Sequence, residues 1–224
     1  MKNVIAQGEL RTLVTVAALT LGATNAGSAQ ASPATPGCPT AEIFATDNTA
    51  IITDPADPRL TSRLTRFDRE VRGIIHAHGA RPGASTLLDG VFWSGSLNQA
   101  TYERSRTFDV DKVGRDGLHH IAGVIAKEYR QESVLTFRCL PRTSPETDAV
   151  EIQAPGVSRT RLHDALLADP ESRAELGGGS VTLDGRLILV ATLADLPLAQ
   201  KFTRTLGVDV NKAQVRYGDE EFVS

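Results

Sequence analysis

Three observations in this 224-residue chain predict an α+β protein with antiparallel sheets. Two amphipathic helical stripes stand between short β-rich runs over residues 41–140. The same succession of elements then returns over residues 149–218, after a Pro-containing linker at 141–148. The only two cysteines, Cys38 and Cys139, bracket the first of the two units. The order in each unit is β-α-β-β-α-β, so the expectation is two tandem ferredoxin-like (βαββαβ) units with antiparallel sheets. They pack through their open sheet faces or join edge to edge, because a four-stranded open sheet leaves one face uncovered.

The first strand is Glu42-Ile43-Phe44-Ala45-Thr46, with Ala50-Ile51-Ile52-Thr53 as its continuation or a hairpin return. Asp57-Pro58 reads as an N-cap followed by Pro at the first helical position. Leu60, Leu64, Phe67, Val71, Ile74 and Ile75 then recur at helical spacing until Gly79. Thr86-Leu87-Leu88 and Val91-Phe92-Trp93 form one strand around Asp89-Gly90, and Thr101 to Phe108 forms the next. Asp111 opens a second helix with the stripe Leu118, Ile121, Ala122, Ile125 and Tyr129, and Ser133 to Phe137 closes the unit.

In the second unit Val150-Glu151-Ile152 is a strand, and Ser158 caps a helix carrying Leu162, Ala165 and Leu166. Alternating apolar residues on both sides of Asp184-Gly185 predict a hairpin of Ser180 to Leu183 with Leu187 to Thr192. Asp195 caps a helix with Leu198, Phe202 and Leu206, stopped by Gly207. Ala213 to Tyr217 is the last strand, and residues 219–224 form a tail.

The cysteines test the strand order. In a ferredoxin-like sheet the first and last strands are antiparallel neighbours, which brings Cys38 and Cys139 within bridging reach. A disulfide closing about 100 residues contributes at most roughly 4.7 kcal/mol on the loop-entropy account.

Residues 1–31 read as an export signal. Lys2 and Arg11 precede an uncharged run from Thr12 to Ala23, and Ala29-Gln30-Ala31 gives the small-x-small pattern of a cleavage site after Ala31. That run falls short of the roughly 20 residues a membrane span needs. Residues 32–40 form a linker, and the leader contains no twin-arginine pair and no lipid-anchor Cys. Removing Lys2, Glu9 and Arg11 takes away a net +1, so the formal charge moves from -3 to -4. That balance argues against a nucleic-acid partner and against anionic membranes. A secreted location with a single disulfide follows.

The strand Thr101 to Thr107 is polar on both faces. One reading places Tyr102, Arg104 and Arg106 on the open face as a ligand site, since Arg pairs suit carboxylate or phosphate groups. The other is a solvated face with Glu103 bonded inside the sheet. Trp93 alternates with Phe92, so one of the two faces away from the helices, as a binding residue or packed on the second unit.

Other motifs carry less. His119 and His120 lie about 100° apart on their helix and share no ligand point. His76 and His78 suit the carbonyls at a helix end, and His163 sits beside Leu162. No zinc-type spacing is present, so no metal and no cofactor is expected. Ser94 lacks the Gly-x-Ser-x-Gly elbow. Gly177-Gly178-Gly179-Ser180 leads into a strand rather than a helix, so it reads as a turn, not a phosphate cradle. Asp47, Asp54 and Asp57 are turn and capping residues.

Two motifs in the first unit match a known pattern. Glu103-Arg104-Ser105-Arg106 fits a Glu-x-Ser-basic strand, and Tyr129 with Gln131-Glu132-Ser133-Val134-Leu135 fits a Tyr…Gln-Glu-Ser-Val-Leu ending. By these, Ile43 to Cys139 resembles a family of secreted bacterial ferredoxin-like domains with no established activity. The resemblance implies fold and export, and no reaction.

The functional expectation is a secreted, non-catalytic binding protein for a protein or a small anionic ligand, without a membrane anchor. One alternative is an enzyme acting on a small anionic substrate in the cleft between units, with Glu103 as acid–base and Arg104 or Arg106 as clamp. Another is a protease-inhibitor-like module that presents an edge strand.

Overall fold

The computed structural model describes residues 38–50, 57–89, 92–94, 99–101 and 105–224. The expected leader, the extension at 51–53 and residues 102–104 lie outside them.

The first half begins with β1 (Ala41–Ala45), whose Ala41, Ile43 and Ala45 face the helices and whose Glu42 and Phe44 face the other way. Helix α1 (Arg59–Ala77) starts one residue later than expected, with the Asp57 carboxylate accepting the Arg59 backbone N–H at 2.8 Å. It ends where Gly79 takes φ +80°. Strands β2 (Arg81–Leu88) and β5 (Ser105–Asp111) follow, then α2 (Arg115–Glu128) and β6 (Val134–Cys139). The helical stripes bury as expected: Leu64, Phe67, Val71 and Ile75 on α1, and Leu118, Ile121, Ala122 and Ile125 on α2. Phe67 meets Phe108 edge-on at 5.5 Å and Tyr129 at 4.6 Å. Full burial of such a side chain contributes roughly 2–3 kcal/mol.

The second half runs β7 (Ala149–Pro155), α3 (Arg159–Ala168), α4 (Pro170–Glu175), β8 (Gly178–Val181), β9 (Arg186–Thr192), α5 (Leu196–Thr205) and β10 (Gln214–Val223). Ser158 caps α3 through Arg161 N–H, and Gly185 turns the β8–β9 hairpin at φ +78°. The short α4, capped by Asp169, has no counterpart in the predicted order.

Among the described residues ten strands share one sheet in the order β2-β5-β1-β6-β10-β7-β9-β8-β3-β4, every pair antiparallel. Eight of them, β2 to β8 in that order, form the main run. The first and last strands of each half are neighbours, β1 with β6 and β7 with β10. The halves join edge to edge through β6 and β10. At the far edges Leu88 bridges Thr182, and Asp89 N–H donates to Val181 O at 2.7 Å. The eight-strand run therefore closes on itself as a barrel with helices outside.

Three cores result. One lies under α1 and α2, and a second lies under the helices of the other half. The third fills the barrel with Phe44, Leu88, Leu135, Phe137, Ala149, Ile188 and Val190, drawn from both halves. Edge joining and face packing, the two arrangements open to the sequence, occur together.

Several expected boundaries are corrected. The strand expected to run through Asp89-Gly90 ends at Leu88. A separate β3 (Phe92–Ser94) instead pairs with β4 (Gln99–Thr101) and with Gly178 and Gly179 of β8. Gly178 and Gly179 are thus strand residues rather than a turn. Asp111 closes β5 instead of opening α2, whose N-cap is Gly114.

The expected tail is no tail. Asp219–Val223 continue β10 and pair with Val134–Arg138 of β6. Helix α2 holds this extension through Arg115 and His119 to Glu221 at 3.2 and 3.0 Å. Gly218 sits where β10 passes from β7 to β6. A Cβ there would lie 2.1 Å from Arg138 O and 2.8 Å from the Phe137 ring, so only glycine fits.

The Cys38–Cys139 disulfide is present, with Cα atoms 6.3 Å apart. Cys139 N–H donates to Thr40 O at 3.1 Å, the antiparallel juxtaposition expected of the first and last strands. No helix among the described residues is long and apolar enough to cross a membrane.

Candidate functional site

Of the residues proposed to form a ligand site, Tyr102, Glu103 and Arg104 lie outside the described residues. Trp93 is placed in β3, paired with Ala100 and Gly179. Arg106 is described, and it corrects the expectation of an open-face arginine. It shares the helix-facing side of β5 with Phe108 and Val110, because residues two apart on a strand point the same way. Its Nε donates to Ser85 Oγ at 2.9 Å and stands 3.5 Å from Asp68 on α1. Burial lowers its proton affinity, opposed by Asp68 and assisted by Arg72. Arg106 ties β5 to α1.

The polar groups that converge most closely are in the barrel interior. Arg216 on β10, with 3% of its side chain exposed, donates through Nη2 to both Glu42 of β1 and Glu151 of β7. Gln153 Nε2 donates to Glu151 Oε1 at 2.5 Å, and Arg186 of β9 donates to Gln153 Oε1 at 3.1 Å. Asp109 on β5 is the cross-strand partner of Glu42.

Burial, then the adjacent Glu151 charge, holds the Glu42 carboxyl well above the ordinary carboxylate range, with Arg216 pulling the other way. Burial also raises Asp109, against the pull of Arg216 and a backbone N–H from Ala84. Desolvation works against the Arg216 charge, but Glu151 and Glu42 outweigh it and raise its affinity. The Arg216 Nε has no hydrogen-bond partner among the described residues. Chemically the cluster can hold protons and tie strands together. Arg216, Glu42 and Glu151 are buried, so no substrate reaches them as they stand.

None of the five charged residues Glu42, Asp109, Glu151, Arg186 and Arg216 was singled out from the sequence. A signal was available: Glu42-Ile43-Phe44-Ala45 and Glu151-Ile152-Gln153-Ala154 repeat Glu-Ile-x-Ala in the first strand of each half. A lone charge inside a short apolar strand, at matching places in two repeats, marks an inward-facing polar position.

A second buried carboxyl belongs to Glu220 on β10. Burial, then Asp148 and Asp195, pushes it up to about 7. Its Oε2 has no hydrogen-bond partner among the described residues, and its two oxygens lie where a Cβ on Gly177 would come within 2.7 and 2.9 Å.

His78, His120 and His163 are engaged with neighbouring groups. A His78 ring nitrogen meets Ile74 O at 2.8 Å, as expected of a helix end, and its ring packs edge-on against His120 at 4.9 Å. His163 pairs with Asp164 at 3.3 Å. Among the described residues no group of three or more His, Cys, Asp or Glu side chains is placed to hold a metal ion. On the outer surface Ser158, Thr160, Arg161, Asp164, Asp169 and Lys201 line an open groove of about 810 Å³ between α3 and α5.

No protein-family profile matches the chain, and no curated protein does. Among solved structures, the crystal structure of an anthrone oxidase-like protein aligns at 14% identity, covering 82% of this chain and 92% of that one, with a TM-score of 0.24. A superposition of that quality carries no inference about fold or activity.

Proposed function

We propose that the chain is an exported, non-catalytic binding protein of two ferredoxin-like units fused into one barrel. The observation that supports this most is what occupies the space between the halves. The enzyme alternative needs a cleft there. Phe44, Leu88, Leu135, Phe137, Ile188 and Val190 fill that space, beside carboxylates already engaged by Arg216. The strand order supports the ferredoxin-like reading. With β3 and β4 left out and strands counted within each half of the eight-strand run, the first half reads 2-3-1-4 and the second 4-1-3-2. The disulfide favours an oxidising location, and the leader pattern and the family resemblance of the first unit point the same way.

The outer surface is then where a partner binds, and the mixed-charge groove between α3 and α5 suits a polar protein surface. The test has two parts. Secreted chain should have an intact mass starting at Ser32, and small carboxylates and phosphates should leave its melting temperature unchanged. The immobilised chain should retain one partner from culture supernatant, and Lys201→Glu should weaken that retention. Retention of the leader, or stabilisation by a small anion with turnover of it, overturns the proposal.

A further inference from the structure

Glu42 and Glu151 approach the same atom, Nη2 of Arg216, from β1 and β7. All three residues are buried, and the contact ties the first half of the barrel to the second. The surrounding groups come from every neighbouring strand. Strand β5 supplies Asp109, with Asp111 beyond it. Strand β7 adds Gln153, and β9 adds Arg186, held by that Gln153. Strand β6 contributes the Phe137 ring, 5.9 Å from the guanidinium.

Fully ionised, the cluster sets three carboxylates against Arg216, with Arg186 reaching them only through Gln153. An uncompensated buried charge is costly, and a carboxyl so placed takes up a proton instead. We propose that Glu42 holds a proton and donates it to Glu151 over Arg216, and that this hydrogen bond latches the two halves of the barrel until rising pH removes the proton. Two oxygens that converge on one donor repel when both are ionised, and they bond to each other when one is protonated. The proton leaves to solvent, and the two ionised carboxylates then repel across the join between the halves.

The direction of the pH effect follows from Glu42. Its folded affinity lies well above the ordinary value of 4.5. The stabilisation is therefore complete below that value and disappears as pH rises through the folded value.

Glu42→Gln keeps the neutral shape of the protonated form. In the full mature chain its urea midpoint should match wild type near about pH 5 and exceed it near about pH 9. Infrared difference spectra of glutamate-labelled wild type minus Glu42→Gln should show a carboxylic-acid carbonyl band near neutral pH that bleaches on alkalinisation. Glu220 is common to both proteins and cancels. A Glu42→Gln midpoint lowered equally at every pH overturns the proposal, since the ionised carboxylate would then be required. So does the absence of that band. If the variant fails to fold, a carbon NMR titration of wild type decides. It supports the latch if a second glutamate besides Glu220 titrates above the ordinary range, and overturns it if none does.

Discussion

Replacing Glu220 with Gln should make the protein more stable, and only above acid pH. Burial, helped by the nearby Asp148 and Asp195 charges, lifts the wild-type carboxyl from 4.5 to about 7. Each tenfold change in affinity is about 1.4 kcal/mol, so ionised Glu220 costs the folded chain roughly 3 kcal/mol. The sign follows from linkage. Below about pH 4 both folded and unfolded chains carry the proton, and no penalty arises. Between about pH 4.5 and 7 the folded chain binds more protons than the unfolded one, so stability falls as pH rises. Above about pH 7 the penalty is complete. A neutral glutamine of the same shape removes it. Urea melts of both proteins from about pH 4 to 8 should coincide at the acid end and separate by up to roughly 3 kcal/mol at the other, with equal m-values. A difference that stays constant across that range would refute the reasoning, because it would show that the carboxyl does not change its charge on folding.

Gly218→Ala should cost about 3 kcal/mol or more, read as a lower denaturant midpoint, because its Cβ would collide with the backbone oxygen of Arg138 as well as the Phe137 ring. A loss under about 0.5 kcal/mol would mean that the β6–β10 join is looser than described. Arg106→Ala should cost about 1–2 kcal/mol by removing its bonds to Ser85 and Asp68. The loss should be the same with and without added phosphate; one that appears only when phosphate is present would restore Arg106 to a ligand site.

Much of the architecture was legible because it rests on local rules. Residues every three or four positions along α1 and α2 had to face one side, and those residues are the ones buried. Asp184-Gly185 had to turn, because alternation on both sides demands a tight reversal and Gly185 supplies the positive φ. The disulfide followed once the first and last strands were expected to be antiparallel neighbours.

What the tertiary structure alone decided is where each strand stops and what its second face meets. Period-two alternation sorts residues into two faces without saying which lies inside. Arg106 could therefore be expected on an open face when it sits under α1. Residues 219–224 carry no strong strand signal, and Asp219 to Val223 are ordered by pairing with β6, about eighty residues away in sequence. Glu42, Glu151 and Arg216 are ordinary charged residues in three separate strands; Glu151 is the cross-strand partner of Arg216 within the second half, and only the joining of the halves brings Glu42 onto the same nitrogen atom. Local sequence determines helices, turns and the neighbouring strands of each half. Non-local pairing determines the barrel, because the β6–β10 pairing, the Leu88–Thr182 bridge and the Glu42 contact to Arg216 that hold it together form only when both halves are folded.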